Sequence, residues 1–247
     1  MLKTIGQYFL FHKDVFSRPP RRKLFWRQVF SEIWRLGMDS LPIVVLLSIF
    51  MGAALTIQLN FNTDSPWLPL YTIGFIARQT IILEFSPTII SLILAGKVGS
   101  RISSEIGTMR VTEQIDALEV MGINPANYLV LPKVMACMFF HPILIMVSIG
   151  FAIWGGYVVG IASGMMSSYQ YVYGLQFEFN PFDLFYALSK TVVFAYLITT
   201  ISAFYGYFTQ GGALEVGRAS TKAVVQSSIM IIAVNLVLTQ LMLACFL

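Results

Sequence analysis

Charge is what this chain has least of. Only 11% of its 247 residues are charged, against roughly 25% in a soluble domain. So few charges cannot clothe a chain this long in a water-facing surface. With 57% hydrophobic residues and a mean hydropathy of +0.74, most of the surface is expected to face lipid. Cysteine is nearly absent too. Cys137 and Cys245 sit in apolar runs without metal-type spacing, which excludes a disulfide framework and points to buried free thiols and no metal site. The two histidines, His12 and His141, lack the H-E-x-x-H spacing of a zinc protease, and no G-x-S-x-G elbow is present. No Walker motif occurs, so no catalytic residue is assigned and any ATP must be hydrolysed elsewhere. No nucleic-acid-binding role is suggested. The opening residues MLKTIGQYFLFHKD show no small-residue cleavage site, so no cleavable signal peptide is expected.

Long apolar runs are what the chain does have. Five lie at roughly 39–60, 68–95, 128–162, 182–208 and 223–246, each near the ~20 residues that cross a bilayer core. The runs are continuous rather than alternating. Only helices satisfy such a backbone in lipid short of a closed barrel. The expected fold is therefore an all-α integral membrane protein of about five spans, in a single domain covering 1–247. Residues 1–37 form its N-terminal segment, 39–95 the first two spans, 97–125 a polar connection and 128–246 the last three spans.

Fourteen of the sixteen Lys and Arg residues fall in 1–36, 96–133 and 209–222, while the connections at 61–67 and 163–181 hold only Asp64 and Glu178. The positive-inside rule then places the N-terminus and the 96–133 segment in the cytoplasm and the C-terminus outside. Before the first span, Phe25, Trp26, Val29, Phe30, Ile33 and Trp34 recur at helical spacing behind Arg21-Arg22-Lys23. This predicts an amphipathic helix in the membrane interface. In the third span, Gly156, Gly160 and Gly164 recur every four residues. Such spacing lets another helix, from this chain or a second copy, approach closely.

Charge inside a span is costly and usually functional. Arg78 and Glu84 fall in the second span and Lys190 in the fourth, with Gln58 near the outer end of the first. Glu84 precedes Pro87, where a missing amide should bend the helix. Arg78 and Glu84 are six residues apart and so lie on different faces; Lys190 is the alternative partner. A polar spot that holds an amphiphile's headgroup is one reading, and an ion pair that ties helices together is the other.

The charged island KVGSRISSEIGTMRVTEQIDALEVMGINP runs from Lys97 to Pro125. Ile102, Ile106 and Met109 share one face; Val111, Ile115 and Leu118 share another, out of phase. The break near Arg110 predicts that the second span continues to about Met109. After a turn, a short helix should run from Thr112 or Glu113 to Met121, with Thr112 as N-cap, Glu113 and Asp116 in its first turn, and Gly122 just beyond its end.

This island resembles the signature of the MlaE-like permeases, the membrane subunits of MCE-associated ABC transporters. Ala95-Gly96, Gly99-Ser100, Glu105-Ile106-Gly107, Met109-Arg110, Thr112-Glu113-Gln114, Ala117 and Pro125 carry the match. Gly52, Leu55 and Gln58, Trp154-Gly155-Gly156, Lys190 through Phe194, and Val237-Leu238-Thr239 extend it over about residues 25–245. The resemblance implies a homodimeric permease in a bacterial inner membrane. It would bind no cofactor itself, since ATP and magnesium would sit on a cytoplasmic ABC ATPase, and it would carry a periplasmic MCE-domain protein. The cargo would be phospholipid moved between membranes. The family's pocket residues fall on Gln58, Glu84 and Lys190, with Arg78 as a further candidate. Contact with the ATPase falls on Glu105, Arg110, Glu113, Gln114, Asp116 and Leu118. The chain departs from the family at Leu83-Glu84-Phe85-Ser86-Pro87, which lacks the usual arginine before the glutamate, and at Asn235, where an aspartate is common. The competing reading is an ion-coupled secondary transporter with Arg78, Glu84 and Lys190 as a relay; no inverted repeat of interrupted helices supports it.

Overall fold

The computed structural model describes residues 2–17, 22–62 and 69–246. Arg18, Arg21 and Asp64, and the side chains of Lys3, Arg22 and Cys245, lie outside the described residues. Eight helices account for nearly all of the described chain: α1 Leu2–Val15, α2 Lys23–Asn62, α3 Tyr71–Val111, α4 Gln114–Val120, α5 Pro125–Ala162, α6 Ser168–Gln176, α7 Pro181–Tyr207 and α8 Ala213–Phe246. Helices α2, α3, α5, α7 and α8 are long and apolar enough to cross a membrane. The chain forms two compact units, one of Met1–Ser40, Ser91–His141 and Val192–Leu247, the other of Leu41–Ile90 and Pro142–Thr191.

In the first unit, Ala95, Phe194, Ile198 and Ile231 form a buried cluster flanked by Leu92, Val234 and Leu238. Close contact between α3 and α7 is set by small residues. A Cβ on Gly206 would lie 2.6 Å from the Ser103 carbonyl oxygen, and one on Gly99 would lie 2.8 Å from Ser202 Oγ. The predicted interfacial helix is the first stretch of α2, continuous with the first span through wide π-type turns at Ile33–Met38. Val29 and Leu36 are buried there while Trp26, Phe30 and Trp34 stay exposed, the aromatic pattern of a membrane boundary. Helix α1 was not anticipated. Its short apolar patch buries Phe11 and Val15 and lays Tyr8 against Thr200, with a 2.8 Å hydrogen bond. The Thr200 hydroxyl already donates to the Tyr196 carbonyl, so the phenol is the donor to Thr200. Burial pushes the Tyr8 phenol up to about 12.

In the second unit, α2 and α5 meet backbone to backbone. A side chain on Gly52 would strike the Ala152 carbonyl, one on Gly155 the Ile49 carbonyl, and one on Gly156 Thr56 Oγ1. The close approach is within the chain. Of the predicted four-residue stripe it uses only Gly156: Gly160 would meet only ordinary contacts, and Gly164 lies beyond the end of α5 at φ +69°. The connection after α5 holds α6, which hydropathy alone does not reveal. Its N-terminus carries a capping box in which Ser167 and Gln170 bond each other's backbone amides. Tyr171 from α6 is buried with Ile73 and Met166.

Candidate functional site

The membrane-embedded site is built around the one proline of α3. Pro87 has no amide hydrogen for the Leu83 carbonyl four residues earlier, and its ring crowds that carbonyl. The stretch Ile81–Ile90 winds with wider, π-type turns, a form frequent at functional positions. Lys190 of α7 supplies a replacement donor. Its Nζ donates to the Leu83 carbonyl at 3.2 Å and to Glu84 Oε1 at 3.0 Å. Lys190, not Arg78 on another face of α3, is thus the ion-pair partner of Glu84.

The pair is lopsided. The Lys190 side chain is 0% exposed and the Glu84 side chain 41%. Thr88 Oγ1 donates to Glu84 Oε2 at 3.3 Å, and the ammonium also lies over the Tyr186 ring at 5.5 Å. A cation is thus sealed in the protein and its carboxylate partner is presented to the surroundings. Behind this stretch a hydroxyl ladder runs from Ser48 to Ser148 at 2.8 Å and from Ser148 to Ser86 at 3.1 Å. It satisfies buried polar groups.

Arg78 serves a different neighbourhood. Its guanidinium donates to the carbonyls of Leu175 at 2.7 Å, Phe177 at 2.9 Å and Glu178 at 3.3 Å. It also lies over the Phe75 and Phe179 rings. Cations are favoured at a helix C-terminus; Arg78 closes the end of α6, something the sequence alone did not show. Gln58 is exposed on α2 and takes no part in the bonds from Lys190 to Glu84 and Leu83.

The polar connection folds much as its phase break predicts. Helix α3 ends at Val111 and α4 begins at Gln114. The N-cap differs from expectation. Thr112 Oγ1 turns back to the Thr108 carbonyl at 2.8 Å, and the N-cap residue is Glu113, in the left-handed region at φ 60° with no side-chain cap bond. The far end is a Schellman motif: the Gly122 amide donates to Glu119 and the Ile123 amide to Leu118, with Gly122 at φ +76°. Asn124 Oδ1 then accepts from the Asn127 amide and Pro125 opens α5, the usual start signal for a helix.

Helix α4 is held from one side. Ile115 is fully buried and Leu118 half-buried. Arg110 bonds Asp116 at 2.6 Å and lies over the Tyr207 ring, while the Tyr207 hydroxyl donates to Glu119 at 3.2 Å. The other side is open. Glu113, Gln114 and Ala117 are exposed, as are Val120 (89%) and Met121 (64%). Of the predicted contact residues, Glu113 and Gln114 lie on the open side. Arg110 and Asp116 are tied to each other, and Glu105 lies apart, ion-paired to Arg35 and Lys133.

Five membrane-length helices, an ion pair between two of them and a short, firmly seated helix with an open apolar end are the features of a transport permease. Comparison with known proteins gives the family. Residues 29–241 match the family described as Permease MlaE, and the chain belongs to it. It is 34% identical over 241 residues to a protein from Rickettsia bellii described as a probable ABC transporter permease protein, covering 98% of this chain and 93% of that one. It is 28% identical to the intermembrane phospholipid transport system permease protein MlaE of Haemophilus influenzae, covering 95% and 89%. It is also 35% identical to the chloroplastic protein TRIGALACTOSYLDIACYLGLYCEROL 1 of Arabidopsis thaliana, over 92% of this chain and 64% of that one. The chain is thus a multi-pass ABC transporter permease subunit, and ATP hydrolysis belongs to a separate ATPase partner.

Proposed function

We propose that this permease moves phospholipid between the inner and outer membranes of a bacterium, working as a homodimer in the inner membrane with a periplasmic MCE-domain protein. The observation that carries the reading is the Lys190–Glu84 pair: a sealed cation with a half-open carboxylate, in a π-wound stretch of span. The arrangement suits the headgroup of an amphiphile whose chains stay in lipid. Glu84 contacts the headgroup, Lys190 holds that carboxylate from behind, Gln58 contributes from α2, and Arg78 shapes the neighbouring wall by holding the end of α6. The similarity to a relative described as an intermembrane phospholipid transport permease supports the cargo class. A second copy would pack on α8, whose most apolar stretch is only 11% buried and otherwise faces lipid.

The ATPase docks on α4, which the Lys and Arg distribution puts in the cytoplasm. Exposed Val120 and Met121 fill an apolar recess, with Glu113 and Gln114 at the rim. Glu105, Arg110, Asp116 and Leu118 hold this surface in place. The pocket is tested by purifying the complex with Glu84→Gln, which keeps the side-chain shape, and weighing its lipid by mass spectrometry. Less bound phospholipid in an intact dimer is expected; unchanged lipid would remove Glu84 from the site.

A further inference from the structure

Glu105 belongs to a lattice of charges that joins three helices. Lys133 of α5 has a side chain only 4% exposed, and its Nζ donates to Glu32 Oε1 at 2.7 Å and Glu105 Oε2 at 3.1 Å. Glu105 Oε1 accepts from Arg35 at 3.3 Å. Arg101 donates to Asp39 Oδ2 at 2.5 Å and to the Arg35 carbonyl at 3.1 Å, and Lys97 donates to the Asp39 carbonyl. Lys97, Arg101 and Glu105 follow one another a turn apart on α3. Lys97 and Arg101 meet Asp39 and the Arg35 carbonyl, and Glu105 meets the Arg35 guanidinium, so the contacts step down α2 as they step up α3; the joint is an antiparallel ionic zipper with Lys133 at its closed end, bridging Glu105 to Glu32. Both helices are π-wound at the joint, at Ile33–Met38 and Ala95–Gly99.

Stability is a poor reason for such a construction. A buried ion pair is often no better than apolar residues of the same volume. Here two carboxylates share one ammonium, and Glu32 Oε2 is buried with no hydrogen-bond partner among the described residues. Position is the better reason. Glu105 lies two turns before the end of α3, and α4 follows after a two-residue turn. A displacement of α4 therefore acts on the zipper and, through it, on the boundary stretch of α2.

We infer that Lys133 is a positioning residue that passes the movement of α4 to the interfacial part of α2. This rests on the reading that α4 receives the ATPase. The test uses the complete complex in proteoliposomes, with Lys133→Met, Lys133→Arg, Glu32→Gln and the Lys133→Met/Glu32→Gln double variant. ATPase co-purification, basal ATP hydrolysis and phospholipid transferred per ATP are all measured. Lys133→Met is expected to keep assembly and basal hydrolysis within about twofold and to lower lipid per ATP about tenfold. Lys133→Arg should restore most of that loss, and the double variant should be no worse than Lys133→Met alone, as members of one unit behave. A merely structural role would lower the yield of complex and leave lipid per ATP unchanged; that result, or losses that multiply in the double variant, overturns the inference. If Lys133→Met does not assemble, the volume-conserving Glu32→Gln is judged by the same ratio. Failure of the α4 reading shows separately, as a Val120→Asp variant that still holds its ATPase.

Discussion

Lys190 is sealed in the protein while Glu84, 3.0 Å away, is not. The two residues should therefore respond unequally to truncation. Glu84→Ala takes the carboxylate away from a buried ammonium and is expected to cost about 3 kcal/mol. Lys190→Met leaves a carboxylate that water or a headgroup can reach and should cost less. The double variant should cost less than the sum. Thermal melting in detergent checks all three.

Pro87 makes Glu84 stand out in the sequence, and the reason is physical: a missing amide disturbs its helix whatever surrounds it, so the residue type alone announces the bend. Pro87→Ala returns a donor to the Leu83 carbonyl, in competition with Lys190. We expect a stability gain of about 1 kcal/mol, measured by melting, together with weaker lipid binding, measured by mass spectrometry of the purified complex.

The spans and the α3–α4 break were legible because hydropathy and phase are local properties of the sequence. The roles of Arg78 and Glu105 were not, because carbonyls and lysines about a hundred and about thirty residues away define them. Helix α6 was hidden for another reason. Its nine residues are too few for a span, although the Ser167–Gln170 capping pair and the Tyr169, Tyr173, Phe177 spacing were there to be read. Glycine spacing also misled. Of the regular stripe only Gly156 sits at the close approach, with Gly52 and Gly155; their neighbours are backbone carbonyls or a hydroxyl on other elements, and Gly160 and Gly164 have none so near.

That difference gives a paired prediction. Gly52→Ala must push α2 from α5 and should cost about 3 kcal/mol, whereas Gly160→Ala should change little. Expression yield and melting temperature of the two variants, made side by side, provide the check.

The left-handed Glu113 gives a local one. Glu113→Gly removes a strain of about 1–2 kcal/mol, offset in part by the greater freedom of glycine in the unfolded chain. A net gain of about 0.5 kcal/mol is expected. Gly122→Ala, at φ +76°, should lose about 1 kcal/mol for the same reason. Both are measured by thermal melting.

The docking of α1 carries a pH prediction. The Tyr8 phenol is raised from 10.0 to about 12, so its contribution is complete below pH 10 and disappears as pH rises through 12. Protease cleavage after α1 should therefore stay slow to about pH 10 and quicken above it. Tyr8→Phe should be cleaved faster at neutral pH and show less of that rise.

The central claim is that this permease holds phospholipid at Glu84, backed by Lys190, and draws its energy from an ATPase seated on α4. The most direct measurement is ATP-dependent phospholipid transfer between vesicles by the complete complex, with Glu84→Gln and Val120→Asp made in parallel. Glu84→Gln should retain its ATPase and lose transfer, and Val120→Asp should lose the ATPase and transfer together. Undiminished transfer by either variant, or transfer that follows an ion gradient without ATP, would contradict the account.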